Sequence, residues 1–161
     1  MADNLAPLAS REGPEPGHLF RLRRDPEHTA PAVPLADYPA GGTAVLLAPG
    51  DDARLLIPHL GALRRIDIAF PKFREGRGFS AARILREAGF AHEIRAVGVL
   101  TVDQLAFLVR AGFDAVLPAT PFDPGVAQAV LARFPHVYMK AADAARPVWL
   151  LRQERALATP H

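Results

Sequence analysis

The residues best suited to chemistry lie in one short stretch, residues 70–80. It holds three cations, two glycines and a serine: Lys72, Arg74, Arg77, Gly76, Gly78 and Ser80. Cationic side chains beside the free N–H groups of a helix N-terminus favour an anion such as phosphate, sulfate, sulfite or a carboxylate. The glycine spacing matches neither a Walker loop nor a dinucleotide fingerprint. The stretch therefore predicts an anion site and leaves the reaction open.

Structural roles are the alternative for the same residues. The cations of the stretch can be solvated and can pair with Glu75, which lies among them. Ser80 is placed to cap the helix predicted over residues 80–88. No Gly-x-Ser-x-Gly elbow surrounds Ser80, which favours a cap over a nucleophile.

Arg95 is a further candidate, and Glu75, Asp103, Gln104 and Arg110 are secondary ones. Arg95 is either a ligand arm or half of an ion pair with Asp67, because both are charged residues within neighbouring predicted strands. Asp103 and Gln104 open a helix, where they suit the helix dipole and a capping box that begins at Thr101. Arg110 lies near the C-terminus of the same helix, where a cation also stabilises the dipole.

A regular alternation of strand and helix patterns positions these residues. Apolar runs predict strands at residues 43–48, 65–70, 93–97, 114–117 and, as a fifth, 136–139. The intervening segments have helical spacing, and Ala-Gly-Phe ends two of the helices, at residues 88–90 and 111–113. Short links in this alternation predict an α/β domain with a four- to five-stranded, mainly parallel sheet.

The strand order has two alternatives, a half-barrel-like consecutive order and a Rossmann-like order with a switch point. Asp67 and Arg95 favour the first, because a barrel-like interior holds charged side chains more readily than a helix-covered face does. In both arrangements ligands bind at the carboxyl ends of the strands. The loops expected there are residues 49–52, 71–79, 98–101 and 118–124.

The chain of 161 residues is long enough for one domain with flanking segments. Residues 1–42 are rich in proline and predict a partly extended N-terminal arm, in which residues 18–22 form a candidate edge strand. Residues 43–140 form the core of repeated βα units, and residues 141–161 a tail that packs on it. Four or five such units leave a sheet edge open, which suggests a homodimer.

The amino-acid composition excludes several kinds of chemistry and of binding partner. The chain has no cysteine, and its six histidines show no ligand-pair spacing, so thiolate chemistry is excluded and a metal site is not expected. A net charge of +2 without an aromatic-rich basic stripe argues against nucleic acid as a partner. No apolar run approaches the ~20 residues of a membrane span, and no secretory signal pattern is visible. A cytoplasmic location is expected.

Several motifs together resemble one bacterial family. They are Phe-Pro-Lys-Phe at 70–73, Gly-Arg-Gly-Phe-Ser at 76–80, Ala-Arg-Ile-Leu-Arg at 82–86, Arg-Ala-Val-Gly at 95–98, Asp-Gln at 103–104 and Arg-Ala-Gly-Phe-Asp at 110–114. This set is similar to the family of the domain of unknown function 934. The chain departs from the family pattern at Glu75, where an aspartate is usual, and at Val99, where an acidic residue is usual.

The resemblance implies a role in sulfur assimilation, because members of the family tend to be encoded beside sulfite reductase. Their oxidoreductase label rests largely on this gene neighbourhood. The expected function is an accessory protein of assimilatory sulfite reduction that binds a small oxyanion or a phosphorylated ligand at residues 71–80. The alternative is a non-catalytic subunit that docks on sulfite reductase or its electron donor. No intrinsic cofactor is expected, although the sequence does not decide whether the protein binds a flavin or a nicotinamide. It also does not decide whether the protein is an enzyme.

Overall fold

The structure is a computed structural model that describes residues 19–23, 28–38, 41–143 and 145–158. The strands of the described residues are β1 Phe20–Arg21, β2 Val33–Pro34, β3 Ala44–Leu47, β4 Arg65–Phe70, β5 Glu93–Gly98 and β6 Ala115–Pro118. The α-helices are α1 Arg77–Glu87, α2 Leu105–Ala111, α3 Pro124–Ala132 and α4 Val148–Ala158. Shorter 3-10 helices cover Leu35–Asp37, Ala53–His59 and Val102–Gln104. The predicted α/β class is confirmed.

All six strands belong to one sheet with the order β1-β6-β5-β4-β3-β2. The strands β2 to β6 are parallel and follow one another in chain order, whereas β1 is antiparallel to β6. The consecutive order of the half-barrel-like alternative is therefore the observed one. The sheet exceeds the expected four or five strands because β1 and β2, of two residues each, add one strand at either edge.

The two faces of the sheet differ in chemistry because side chains alternate along each strand. Ile66, Ile68 and Phe70 of β4 belong to the same buried cluster as Leu85 of α1 and Leu108 of α2. Consecutive right-handed crossovers place their helices on one face, which explains why the apolar side chains gather there. The opposite face of β4 and β5 carries charged side chains.

The predicted fifth strand near the C-terminus is wrong. Residues 136–139 are not a strand of the sheet, because the edge of β6 that it would join is already occupied by β1. Within this segment, Val137 forms only an isolated bridge with Pro147. Between β3 and β4, where helical spacing is expected, the chain forms the 3-10 helix Ala53–His59, which contains Pro58.

The predicted N-terminal arm lies partly outside the described residues, which leave out 1–18, 24–27 and 39–40. Within the rest of it, β1 confirms the candidate edge strand at residues 18–22. In the part of the chain that the structure describes, no helix is both long enough and apolar enough to cross a membrane.

Candidate anion site at the carboxyl edge of the sheet

The loop between β4 and α1 lies at the carboxyl edge of the sheet and touches two neighbouring loops. Gln104 donates a hydrogen bond from Nε2 to the carbonyl oxygen of Phe73, over 3.4 Å. On the other side, a Cβ added to Gly50 would lie 3.7 Å from Nη1 of Arg77. Three loops that follow successive parallel strands therefore meet around residues 72–77.

Lys72 and Arg74 are the two cations of this loop that are not paired with a carboxylate in the described part of the chain. Both side chains are exposed, and neither forms a hydrogen bond or ion pair with another of the described residues. Phe73, between them, is 49% exposed. The loop thus presents two available positive charges beside an apolar ring.

Arg77 is already paired with Glu75. Its Nε and Nη2 donate to the two carboxylate oxygens over 2.7 and 2.9 Å, and its backbone N–H donates to Oε1 over 3.3 Å. The hydrogen bonds from Arg77 lower the pKa of Glu75, and Lys72 adds to this effect. The Glu75 carboxylate therefore holds the position that a bound anion would take at the guanidinium of Arg77.

Ser80 does not cap a helix, which corrects the sequence prediction. α1 begins at Arg77, so Ser80 lies within its first turn, and Gly76 takes the cap position. The helix starts early because Glu75 accepts the N–H of Arg77, which has no partner inside the helix. Gly78 has a packing role: a Cβ there would lie 2.5 Å from Cζ of the buried Phe70 ring.

Arg95 lies away from this loop, on the sheet face opposite the helices. It pairs with Glu93 over 2.7 Å and lies 4.0 Å from Asp67, while Asp67 pairs with Arg65 over 2.9 Å. All four residues are at most 7% exposed. The carbonyl of His28 accepts from both arginines, and its N–H donates to Glu93. Burial raises the pKa of Asp67 against the opposing effect of Arg65.

The secondary candidates on this part of the chain lie at opposite ends of α2: Asp103 and Gln104 precede it, and Arg110 is near its C-terminus. Gln104 accepts the N–H of Thr101 over 3.0 Å, which is its half of the expected capping box. Asp103, beside it, is exposed. Arg110 is near the other end of α2, where it pairs with Asp143 over 3.1 Å. The structure therefore groups Gln104 with the β4–α1 loop, whereas Arg110 lines a recess together with Ser80.

Sequence reasoning missed the buried charged partners Arg65 and Glu93. The signal was available, because Arg65 and Asp67, like Glu93 and Arg95, stand two positions apart in predicted strands and so share a face. It also missed Gly50, which approaches Arg77 from a loop distant in sequence. Among the described residues, no three His, Cys, Asp or Glu side chains gather as metal ligands would.

Comparison with known families gives one match. The family model described as "Bacterial protein of unknown function (DUF934)" matches residues 44–149. These residues run from β3 into α4 and include the whole β4–α1 loop. No curated protein and no solved structure matches the chain.

Proposed function

We propose a function for this chain, which belongs to the bacterial DUF934 family of unknown function, from the geometry of the β4–α1 loop. The protein is an accessory protein of assimilatory sulfite reduction that binds a small oxyanion or a phosphorylated ligand at residues 71–80. The observation that carries the binding proposal is the pair of exposed cations, Lys72 and Arg74, whose side chains form no hydrogen bond or ion pair with the other described residues. The pathway rests on the family resemblance.

The charge of the loop suits a dianion. Lys72, Arg74 and Arg77 oppose Glu75 alone, which leaves two formal positive charges within six residues. Lys72 supplies a mobile ammonium group, and Arg74 a planar fork that can hold two oxygens of a tetrahedral anion. Because these groups are exposed, salt screens them, and the affinity is expected to be modest and to fall as ionic strength rises.

The role proposed is binding, since the loop offers no pair of groups arranged for proton transfer or nucleophilic attack. The chain has no cysteine, so a redox role would draw its electrons from a bound flavin or nicotinamide or from a partner protein. A visible absorbance spectrum of the purified protein tests for a flavin.

Isothermal titration with sulfite, sulfate and phosphate tests the anion site. The Lys72→Ala/Arg74→Ala variant should weaken binding about tenfold, which corresponds to about 1.4 kcal/mol. Arg83→Ala is the matched control, because Arg83 is an exposed cation of α1 that pairs with Glu87 four residues later. An unchanged affinity in the double variant, or an equal loss in the control, would refute the site.

A second candidate function is a non-catalytic subunit that docks on sulfite reductase or its electron donor. The exposed ring of Phe73 beside Arg74 favours it, because aromatic residues and arginine are enriched in protein interfaces. Co-purification at low salt that weakens as salt rises would support this function. The Lys72→Ala/Arg74→Ala variant should then lose the partner as well as the anion.

A further inference from the structure

Large apolar side chains are exposed on two paired segments near the C-terminus. We group Tyr138, Met139 and Trp149 as the C-terminal patch, because Trp149 contacts Tyr138. Leu151 stands two positions after Trp149 on α4, so it lies on another side of the helix, where it lines a recess. Tyr138 and Met139 are 74% and 70% exposed, and Trp149 and Leu151 are 39% and 38% exposed. Side chains of this size normally lie inside a domain or at an interface.

The backbone under the patch is held in place. Val137 bridges to Pro147, and the N–H of Val148 donates to the carbonyl of Val137 over 2.8 Å. The indole N–H of Trp149 donates to the carbonyl of Tyr138 over 3.0 Å. A surface that is ordered before binding loses less conformational entropy when a partner arrives, which favours recognition.

The segments that carry the patch are rich in cations. Residues 133–158 contain five Lys or Arg and two acidic residues. Arg133, Lys140 and Arg152 are exposed and pair with no acidic side chain of the described residues. A recess of about 670 Å³ opens beside the patch and is lined by apolar and charged side chains of α4 together with His136. Aromatic rings, methionine and arginine are the residue types enriched in interface cores.

We propose that the C-terminal patch is a docking surface for an acidic protein. The partner presents apolar side chains to Tyr138 and Trp149, inserts a side chain into the recess, and faces Arg133, Lys140 and Arg152 with carboxylates. A second copy of the chain fits less well, because a symmetric contact would bring the cations of both copies together. The surface does not include Lys72 or Arg74 of the β4–α1 loop, although Lys140 lines a recess together with Ser80.

Purified sulfite reductase is the probe, a choice that rests on the proposed pathway. Fluorotryptophan incorporated into this chain alone labels one site, because Trp149 is its only tryptophan. Binding at low salt should shift the fluorine NMR signal of Trp149, and added salt should reverse the shift. Tyr138→Ala should weaken the association about tenfold, as expected for a central aromatic residue of an interface. Phe107→Ala, which removes a 67% exposed ring of α2 outside the patch, is the matched control.

Several outcomes would overturn the proposal. They are no association of the wild-type chain, equal weakening by Tyr138→Ala and Phe107→Ala, and a wild-type dimer that Tyr138→Ala abolishes. A fluorine shift caused by phosphatidylserine vesicles but not by the protein would also overturn it and would make the patch a membrane contact. Anion titration of the loop separates this failure from failure of the proposed function, because Tyr138→Ala leaves Lys72 and Arg74 intact.

Discussion

Replacing Gly78 with alanine tests whether this glycine serves packing or ligand binding. A Cβ at position 78 would lie 2.5, 2.9 and 3.0 Å from three ring carbons of Phe70. The ring has little room to retreat, because it is 1% exposed and packs against Phe79 and Phe113 at centroid distances of 5.5 and 5.9 Å. The added methyl must therefore push α1 away from the sheet or force the ring from its position.

Two effects of opposite sign set the size of the change. Alanine is favoured over glycine inside a helix by about 1 kcal/mol. Overpacking a buried site costs about 1–3 kcal/mol. Since the methyl meets a ring that is confined on several sides, we expect overpacking to dominate and the free energy of unfolding to fall by about 1–2 kcal/mol. For a chain of this length, this corresponds to a melting temperature lower by about 2–8 °C.

Urea and thermal unfolding measure this change, with Gly76→Ala as the control. No atom lies within 4 Å of a Cβ at Gly76, so that variant should stay within about 0.5 kcal/mol of the wild type. Combining Gly78→Ala with Phe70→Leu should cost less than the sum of the two single changes, because the smaller side chain relieves the overlap. A Gly78→Ala protein as stable as Gly76→Ala, but with weakened oxyanion binding, would refute the packing role.

The remaining predictions concern charged groups. Glu75→Gln should tighten oxyanion binding, because it removes the carboxylate that competes for the guanidinium of Arg77; titration showing equal or weaker binding would contradict this. Arg95→Ala should lower the free energy of unfolding in urea by about 3 kcal/mol, because it breaks a buried ion pair. The exposed control Arg83→Ala should change it by at most about 0.5 kcal/mol, and similar losses in both variants would argue against a structural role for Arg95. Burial raises the pKa of Asp67, so its stabilising contribution is present below the ordinary pKa and is lost as pH rises through the raised value. Unfolding measured across this pH range should show Asp67→Asn gaining stability relative to the wild type, and a constant difference would count against it.

The fold class and the position of the β4–α1 loop were predictable because both depend on local patterns. Apolar runs and helical spacing reveal strands and helices, and the chain direction places residues 71–79 after a strand and before a helix. The sequence favoured the consecutive strand order without deciding it, because the same local patterns fit a consecutive order and an order with a switch point. Asp67 and Arg95 gave the hint, and the structure shows that they lie opposite each other on the sheet face away from the helices.

The amino-acid sequence by itself determined that three cations and an acid gather in one loop at the carboxyl edge of a parallel sheet. Only the tertiary structure decided which of these charged side chains form an ion pair within the protein. Arg77 is hydrogen-bonded to Glu75, whereas the side chains of Lys72 and Arg74 form no hydrogen bond or ion pair with the other described residues. Long charged side chains reach several partners at similar distances, so their pairing depends on how the loop is folded. Residue spacing limits the choices, and the packed geometry selects among them.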